Sequence, residues 1–135
     1  MRAFVDTSAI IAVLNADDRF HKEAKVIWQR ELNIDTSLIT TNYVLLETTA
    51  LLQHRIGLRA VDVFYSEISP VLEIEWVDRD AHHAAMTSVL TSGRRQLSLV
   101  DCVSFEVIRR RSVDCCFTFD KHFSEQGFRL LGGMV

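Results

Sequence analysis

Ala3-Phe4-Val5-Asp6-Thr7-Ser8-Ala9-Ile10-Ile11 is the stretch whose reading decides the fold. An apolar run ends in a carboxylate, two hydroxyl residues follow, and an apolar helical pattern begins. That order predicts a first strand, a tight turn and a helix start. Asp6 then stands at the C-terminal end of a strand, where open α/β sheets hold their ligands. Three later acids, Glu47, Asp101 and Asp120, occur in contexts that predict convergence on the same place.

Outward from that stretch, Ser8 to Leu14 reads as a short helix that Thr7 or Ser8 can cap. Asn15 to Arg19 is a polar turn, and His21 to Leu32 carries Ala24, Ile27 and Trp28 at helical spacing. Leu38 to Thr40 is a short strand candidate. Thr41-Asn42 caps a long helix to about Ile56, with Gly57 as terminator. A further helix runs from about Leu58 to Ile68, closed by Pro70, the only proline. Val71 to Val77, rich in β-branched and aromatic residues, reads as a strand. Asp78 to Leu90 is helical, and Ser98 opens another helix to about Arg110. Val113 to Thr118 is a continuous apolar run, as expected of a strand buried on both faces. A helical turn from Lys121 leads to a last strand at Phe128 to Leu131 and a frayed tail at Gly132 to Val135. This alternation predicts an α/β fold with a parallel sheet and helices on both faces.

The chain has 135 residues, which predicts one domain over residues 1–135 with room for a real core. Hydrophobic residues make up 48% and charged residues 24%, and no apolar run reaches membrane-spanning length. Met1-Arg2 leads straight into a strand, with no signal-peptide pattern. Cys102, Cys115 and Cys116 are odd in number, include an adjacent pair and lack zinc-site spacing, which fits burial in a reducing, cytoplasmic setting. The net charge of −3 does not advertise nucleic-acid binding. Basic residues are bunched, however, at Arg94-Arg95 and Arg109-Arg110-Arg111, with Lys121 beside Asp120. Arg94, Arg95 and Lys121 are candidates for holding phosphates around an acidic pocket. A solvated helix end explains such clusters equally simply.

Each acid has a plain structural explanation beside the chemical one. Asp6 and Asp120 can cap helices at strand ends. Ser98-Leu99-Val100-Asp101 is a capping-box pattern, and an acid in a first turn suits the helix dipole. Glu47 flanks the Val44, Thr48, Leu51 stripe, where a carboxylate is costly unless paired, bound to a cation or exposed at the edge. Thr118 lies two residues before Asp120, so it points to the same side and can hydrogen-bond a carboxylate. Asp17, Asp18, Asp62 and Asp114 sit in polar or turn contexts. The histidines make no metal set: His82 and His83 are adjacent on a helix, and His21, His54 and His122 read as scattered surface residues.

In this order and these contexts, the four acids resemble the PIN-domain ribonucleases. The matching pieces are Phe4-Val5-Asp6-Thr7-Ser8-Ala9, Glu47 in a leucine-rich helix, Ser98-Leu99-Val100-Asp101, and Thr118-Phe119-Asp120-Lys121-His122-Phe123. By size the nearest subgroup is the VapC-type toxins of toxin–antitoxin pairs. The resemblance implies a three-layer α/β/α sandwich with strand order 3-2-1-4-5, one or two Mg²⁺ or Mn²⁺ ions, and RNA cleavage. It also implies a homodimer and an antitoxin partner. Clustered carboxylates repel one another without a cation, and all-oxygen ligation favours Mg²⁺ or Mn²⁺ over zinc. Asp6, Asp101 and Asp120 are expected to ligate directly or through water. Glu47 is expected to hold a water on the ion or to help remove its proton; Thr7, Ser8 and Thr118 are supports. Two rivals stand beside this reading. One is a PIN-like module that binds RNA or protein without catalysis. The other is a phospho-receiver domain with Asp78 as acceptor.

Overall fold

The computed structural model describes residues 1–132. Its centre is β1 (Arg2–Val5), where Ala3, Phe4 and Val5 are fully buried. Burial of three consecutive side chains means that both faces of this strand are covered. β2 (Ser37–Thr41) pairs with one edge of β1 and β4 (Cys115–Phe117) with the other. β3 (Glu73–Glu75) pairs with β2, and every pairing is parallel. The resulting order is β3-β2-β1-β4.

The expected fifth strand is present as one parallel bridge, Cys116 with Leu130, outside β4. Cys116 N–H donates to the Arg129 carbonyl, and Leu131 N–H to the Cys116 carbonyl. Glycines with left-handed backbone at Gly127 (φ 87°) and Gly132 (φ 73°) bracket the segment, so extended geometry cannot propagate past it. The 3-2-1-4-5 order is therefore met by four strands and a bridge.

Seven helices connect these strands among the described residues: α1 (Thr7–Leu14), α2 (His21–Asn33), α3 (Asn42–Arg55), α4 (Leu58–Val63), α5 (Arg79–Ser92), α6 (Leu99–Arg110) and α7 (Lys121–Glu125). They flank the sheet in an α/β/α arrangement, α1 packing on α2 and α3, and α5 on α6. Cys102, Cys115 and Cys116 are buried. Three expectations shrink, the first being the apolar run Val113 to Thr118, of which only Cys115–Phe117 is strand. The helix from Leu58 ends at Val63 and continues as a π-turn (Phe64–Ile68) and a 3₁₀ turn (Ser69–Val71) containing Pro70. Proline has no N–H, so the chain unwinds over several residues instead of stopping at one. The strand expected over Val71 to Val77 keeps only Glu73–Glu75, an edge strand whose two carboxylates are bonded by the Arg111 guanidinium. Of the expected frayed tail, Gly133 to Val135 lie outside the described residues.

The strand order fixes where a ligand can go. From β1 the chain builds outward through β2 and β3, then returns to the other side of β1 as β4. The reversal point lies between β1 and β4, and their C-terminal ends open a crevice there. Asp6 follows β1 directly, and Asp120 lies three residues after β4.

Phe4 lies at the heart of this arrangement, its ring 6.4 Å from that of Phe123. Phe4→Ala is expected to cost roughly 3–5 kcal/mol, much of the stability of a domain this size. Urea denaturation checks this: the midpoint should fall steeply with little change in slope.

Candidate active site

Asp6 is 3% exposed and caps α1 through one oxygen, Oδ2. That oxygen accepts from Ser8 N–H at 3.3 Å, Ser8 Oγ at 2.7 Å and Thr118 Oγ1 at 3.0 Å. The two hydroxyls accept in turn: Phe119 N–H donates to Ser8 Oγ at 2.9 Å, and Asp120 N–H to Thr118 Oγ1 at 3.0 Å. Asp6 N–H also donates to the Phe117 carbonyl at 3.0 Å. The end of β1 and the segment after β4 are thus stitched together through short side chains. The capping explanation for Asp6 holds, but it uses one oxygen. Among the described residues no donor meets Oδ1.

Asp101 and Asp120 follow the same pattern. Ser98 and Asp101 form a full capping box at the start of α6, with Ser98 N–H donating to Asp101 Oδ2 at 3.4 Å. Asp120 caps α7, accepting from His122 N–H on Oδ1 at 2.9 Å. Each keeps its second oxygen free of protein donors among the described residues.

Burial pushes the Asp6 carboxyl up to about 7, against the pull of the Ser8 and Thr118 hydrogen bonds; Asp101 and Asp120 raise it further by repulsion. Burial also raises Asp101, with the Asp120 charge next in size. Such crowding favours a bound cation or a retained proton.

Glu47 comes from a different direction. α3 starts with Thr41 as its cap and carries Thr48, whose hydroxyl donates to Thr7 Oγ1 at 3.2 Å. This buried contact holds α3 against the first turn of α1, beside Asp6. Asp6, Glu47, Asp101 and Asp120 all line one cavity of about 370 Å³, together with Thr7, Ser8 and Ser98. Its apolar wall includes Ile11, Leu51, Phe20 and Phe119. The last two rings stack at 4.5 Å, and the Arg19 guanidinium lies 4.5 Å from the Phe20 ring.

The basic candidates fall elsewhere. Arg94, Arg95 and Lys121 do not line the cavity, although Gln96, next to Arg95, does. Arg94 pairs with Glu125 at 3.1 Å. The lining includes three residues on which the sequence reading was silent, Phe20, Arg55 and Gln96. Arg55 is the cation among them. Its signal was the spacing Glu47, Leu51, Arg55, three residues four apart on one helix face. Asp18, read from the sequence as a polar turn residue, also lines the cavity, its Oδ1 accepting from Phe20 N–H at 2.8 Å. His122 is not a surface residue: it is 9% exposed, with Nδ1 3.1 Å from Asp120 Oδ1 and 3.6 Å from Asp101 Oδ2. Its place two residues after a strand-end acid was the available clue. Asp78, the acceptor of the receiver reading, caps α5 beside the edge strand and is absent from the cavity lining.

The family model for the PIN domain matches residues 3–129. Over 126 residues the chain is 36% identical to a protein from two strains of Mycobacterium tuberculosis named 23S rRNA-specific endonuclease VapC20; the match spans 93% of this chain and 94% of that one. The crystal structure of M. tuberculosis VapC20, described as a sarcin-ricin loop cleaving toxin, superposes with a TM-score of 0.83 at 35% identity, covering 93% of this chain and 95% of the other. VapBC2 from Rickettsia felis, solved bound to a promoter DNA fragment, shares the fold at a TM-score of 0.63 and 13% identity, covering 97% of this chain and 98% of that one. Matched from β1 through α7, with its acids gathered where the strand order reverses, the chain belongs to the PIN domain family.

Proposed function

We propose that the protein is a metal-dependent endoribonuclease of the VapC toxin type, one PIN unit over residues 1–135, that hydrolyses phosphodiester bonds in RNA. The observation that carries this is the shared habit of Asp6, Asp101 and Asp120. Each anchors one oxygen on the protein and turns its carboxylate into the same cavity. Its relative in M. tuberculosis is named as an endonuclease for 23S rRNA, which supports a structured RNA as substrate. A toxin of this type acts on cytoplasmic RNA and is silenced by a cognate antitoxin, and we extend both features, with a homodimer, to this chain. No helix is long and apolar enough to cross a membrane among the described residues.

The residues present fit a divalent cation. Three carboxylates crowd a buried site, and the burial that raises Asp6 and Asp101 is offset when positive charge enters. Oxygen donors select Mg²⁺ or Mn²⁺. Asp101 and Asp120, whose ligand atoms lie within 4.8 Å of each other, would hold the ion together with Asp6, directly or through water. When bound, it neutralises the scissile phosphate and makes hydroxide available near neutral pH. Glu47, from α3, accepts the proton of the attacking water on its carboxylate. Ser8 and Thr118 keep Asp6 fixed, so that the carboxylates are aligned before RNA arrives. Arg55 lies two helical turns from Glu47, about 12 Å along α3 at 1.5 Å per residue, and binds a phosphate flanking the cut.

Asp6→Asn is expected to lower RNA cleavage by roughly 10²-fold or more while the protein stays folded. Labelled RNA incubated with Mn²⁺, with and without chelator, reads this on a denaturing gel. Full-rate cleavage by the variant sinks the assignment. Wild-type protein that binds Mn²⁺ and RNA but never cuts favours the non-catalytic module.

Stability and pH give a second test. The folded state holds the Asp6 proton more tightly than the unfolded chain, so the group's stabilising contribution is complete below about pH 4 and lost as pH rises through about 7. Metal-free protein should therefore melt lower at pH 8 than Asp6→Asn does, and the gap should close at pH 5. Mn²⁺ should raise the wild-type melting temperature at pH 8. A melting difference independent of pH counts against a protonated, buried Asp6.

Arg55→Ala should weaken RNA binding and reduce the salt dependence of log K by about one phosphate contact, leaving Mn²⁺ affinity unchanged. Filter binding across a salt series measures the slope.

A further inference from the structure

His122 is the buried group that the scheme above leaves without a task. Its Nδ1 is sealed from solvent and has no hydrogen-bond partner of good geometry. A buried polar nitrogen left unpaired is costly, so its surroundings tell what it serves. The groups facing it are two carboxylate oxygens, Asp120 Oδ1 at 3.1 Å and Asp101 Oδ2 at 3.6 Å. These are the oxygens on the protein side of each acid. Asp101 Oδ2 belongs to the α6 capping box, and Asp120 Oδ1 to the α7 cap. His122 itself is absent from the cavity lining, whereas both acids belong to it.

The imidazole therefore sits behind the two carboxylates, on the side away from the cavity. Its ring is held there by α7, where the next residue, Phe123, is fully buried and packs edge-on against Phe105 at 5.0 Å. Phe105 lies one helical turn beyond Asp101 on α6. The same packing that seats α7 on α6 thus sets the imidazole between an acid from each helix.

We propose that His122 is a positioning residue. A small turn of the ring lets Nδ1–H donate to Asp120 Oδ1, 3.1 Å away, while the imidazole lies against Asp101 Oδ2 at 3.6 Å, and this keeps their outer oxygens at the spacing one divalent ion needs. This rests on the metal reading above and extends it to a group outside the acidic set. One ligand atom each from Asp101, Asp120 and His122 lies within 4.8 Å of the others, so direct ligation is the competing geometry; the place of Nδ1 against the capping oxygens, outside the cavity lining, assigns His122 to bracing the two acids instead. Ligating carboxylates braced in this way lose affinity for metal when the brace is removed, typically by roughly 10–100-fold.

Asparagine and glutamine separate this role from simple packing. An Asn side-chain nitrogen reaches the position of Nδ1, and a Gln nitrogen reaches that of Nε2. Mn²⁺ binding to the full-length protein is followed by the electron paramagnetic resonance of the free ion, with pulsed measurements on protein carrying ¹⁵N-histidine. His122→Asn should bind Mn²⁺ within about threefold of wild type, whereas His122→Gln and His122→Phe should bind roughly 10–100-fold more weakly. Wild type should show no imidazole nitrogen coupling to the ion. Coupling that disappears in His122→Phe makes the histidine a ligand and overturns the proposal. Equal Mn²⁺ affinity in wild type and His122→Gln overturns it too, and Gln serves where Phe impairs folding. Wild type that fails to bind Mn²⁺ at all defeats the metal reading itself, whereas a failure of the His122 role alone leaves Mn²⁺ binding dependent on Asp6 and Asp120.

Discussion

Two hydroxyl groups and one buried carboxylate set the geometry on which the site depends. Ser8 and Thr118 both donate to Asp6 Oδ2, and each accepts a backbone N–H from the segment after β4. β1 and β4 are neighbours in the sheet, but sheet pairing alone does not fix the side chains beyond the strand ends. The hydroxyl relay does, because each oxygen is donor and acceptor at once. It restrains the orientation of Asp6 and the position of Asp120 at little entropic cost, since serine and threonine have few rotatable bonds to freeze.

The same relay shows why capping and chemistry coexist here. A cap needs one carboxylate oxygen, and the other is left to the cavity. Asp6 and Asp120 cap helices and Asp101 completes a capping box in the first turn of α6, so helix formation itself settles their orientation. The cost is electrostatic crowding, seen in the raised Asp6 and Asp101. That is the expected signature of a place where a folded protein gives up stability for a function.

Much of this was legible in the sequence. Phe4-Val5-Asp6-Thr7-Ser8 and Thr118-Phe119-Asp120 give strand ends directly, because apolar runs that stop at an acid have few other readings. The parallel order followed from the alternation of strands and helices. What escaped were features set by tertiary packing. Glu73–Glu75 is short because an edge strand pairs on one side only, and no periodicity marks that. Leu130 makes a bridge, not a strand, because of backbone turns at two glycines. His122 looked like a surface residue because its burial comes from α6, distant in sequence. Glu31, buried on α2 beside Thr36 and Arg30, gave no sign either.

The sheet's two margins are closed by different means. On one side, Glu73 and Glu75 project charge from a three-residue strand and are clasped by Arg111. On the other, the Phe128 to Leu131 segment lies along β4 and takes up its open backbone groups at Cys116. Short, charged or covered edges deter a second chain from adding strands. Among the described residues the bare backbone edge of β3 is only three residues long and flanked by charge, which disfavours strand addition by a second copy. A second copy therefore gains little by extending the sheet, and the platform that carries the acids keeps its own boundaries.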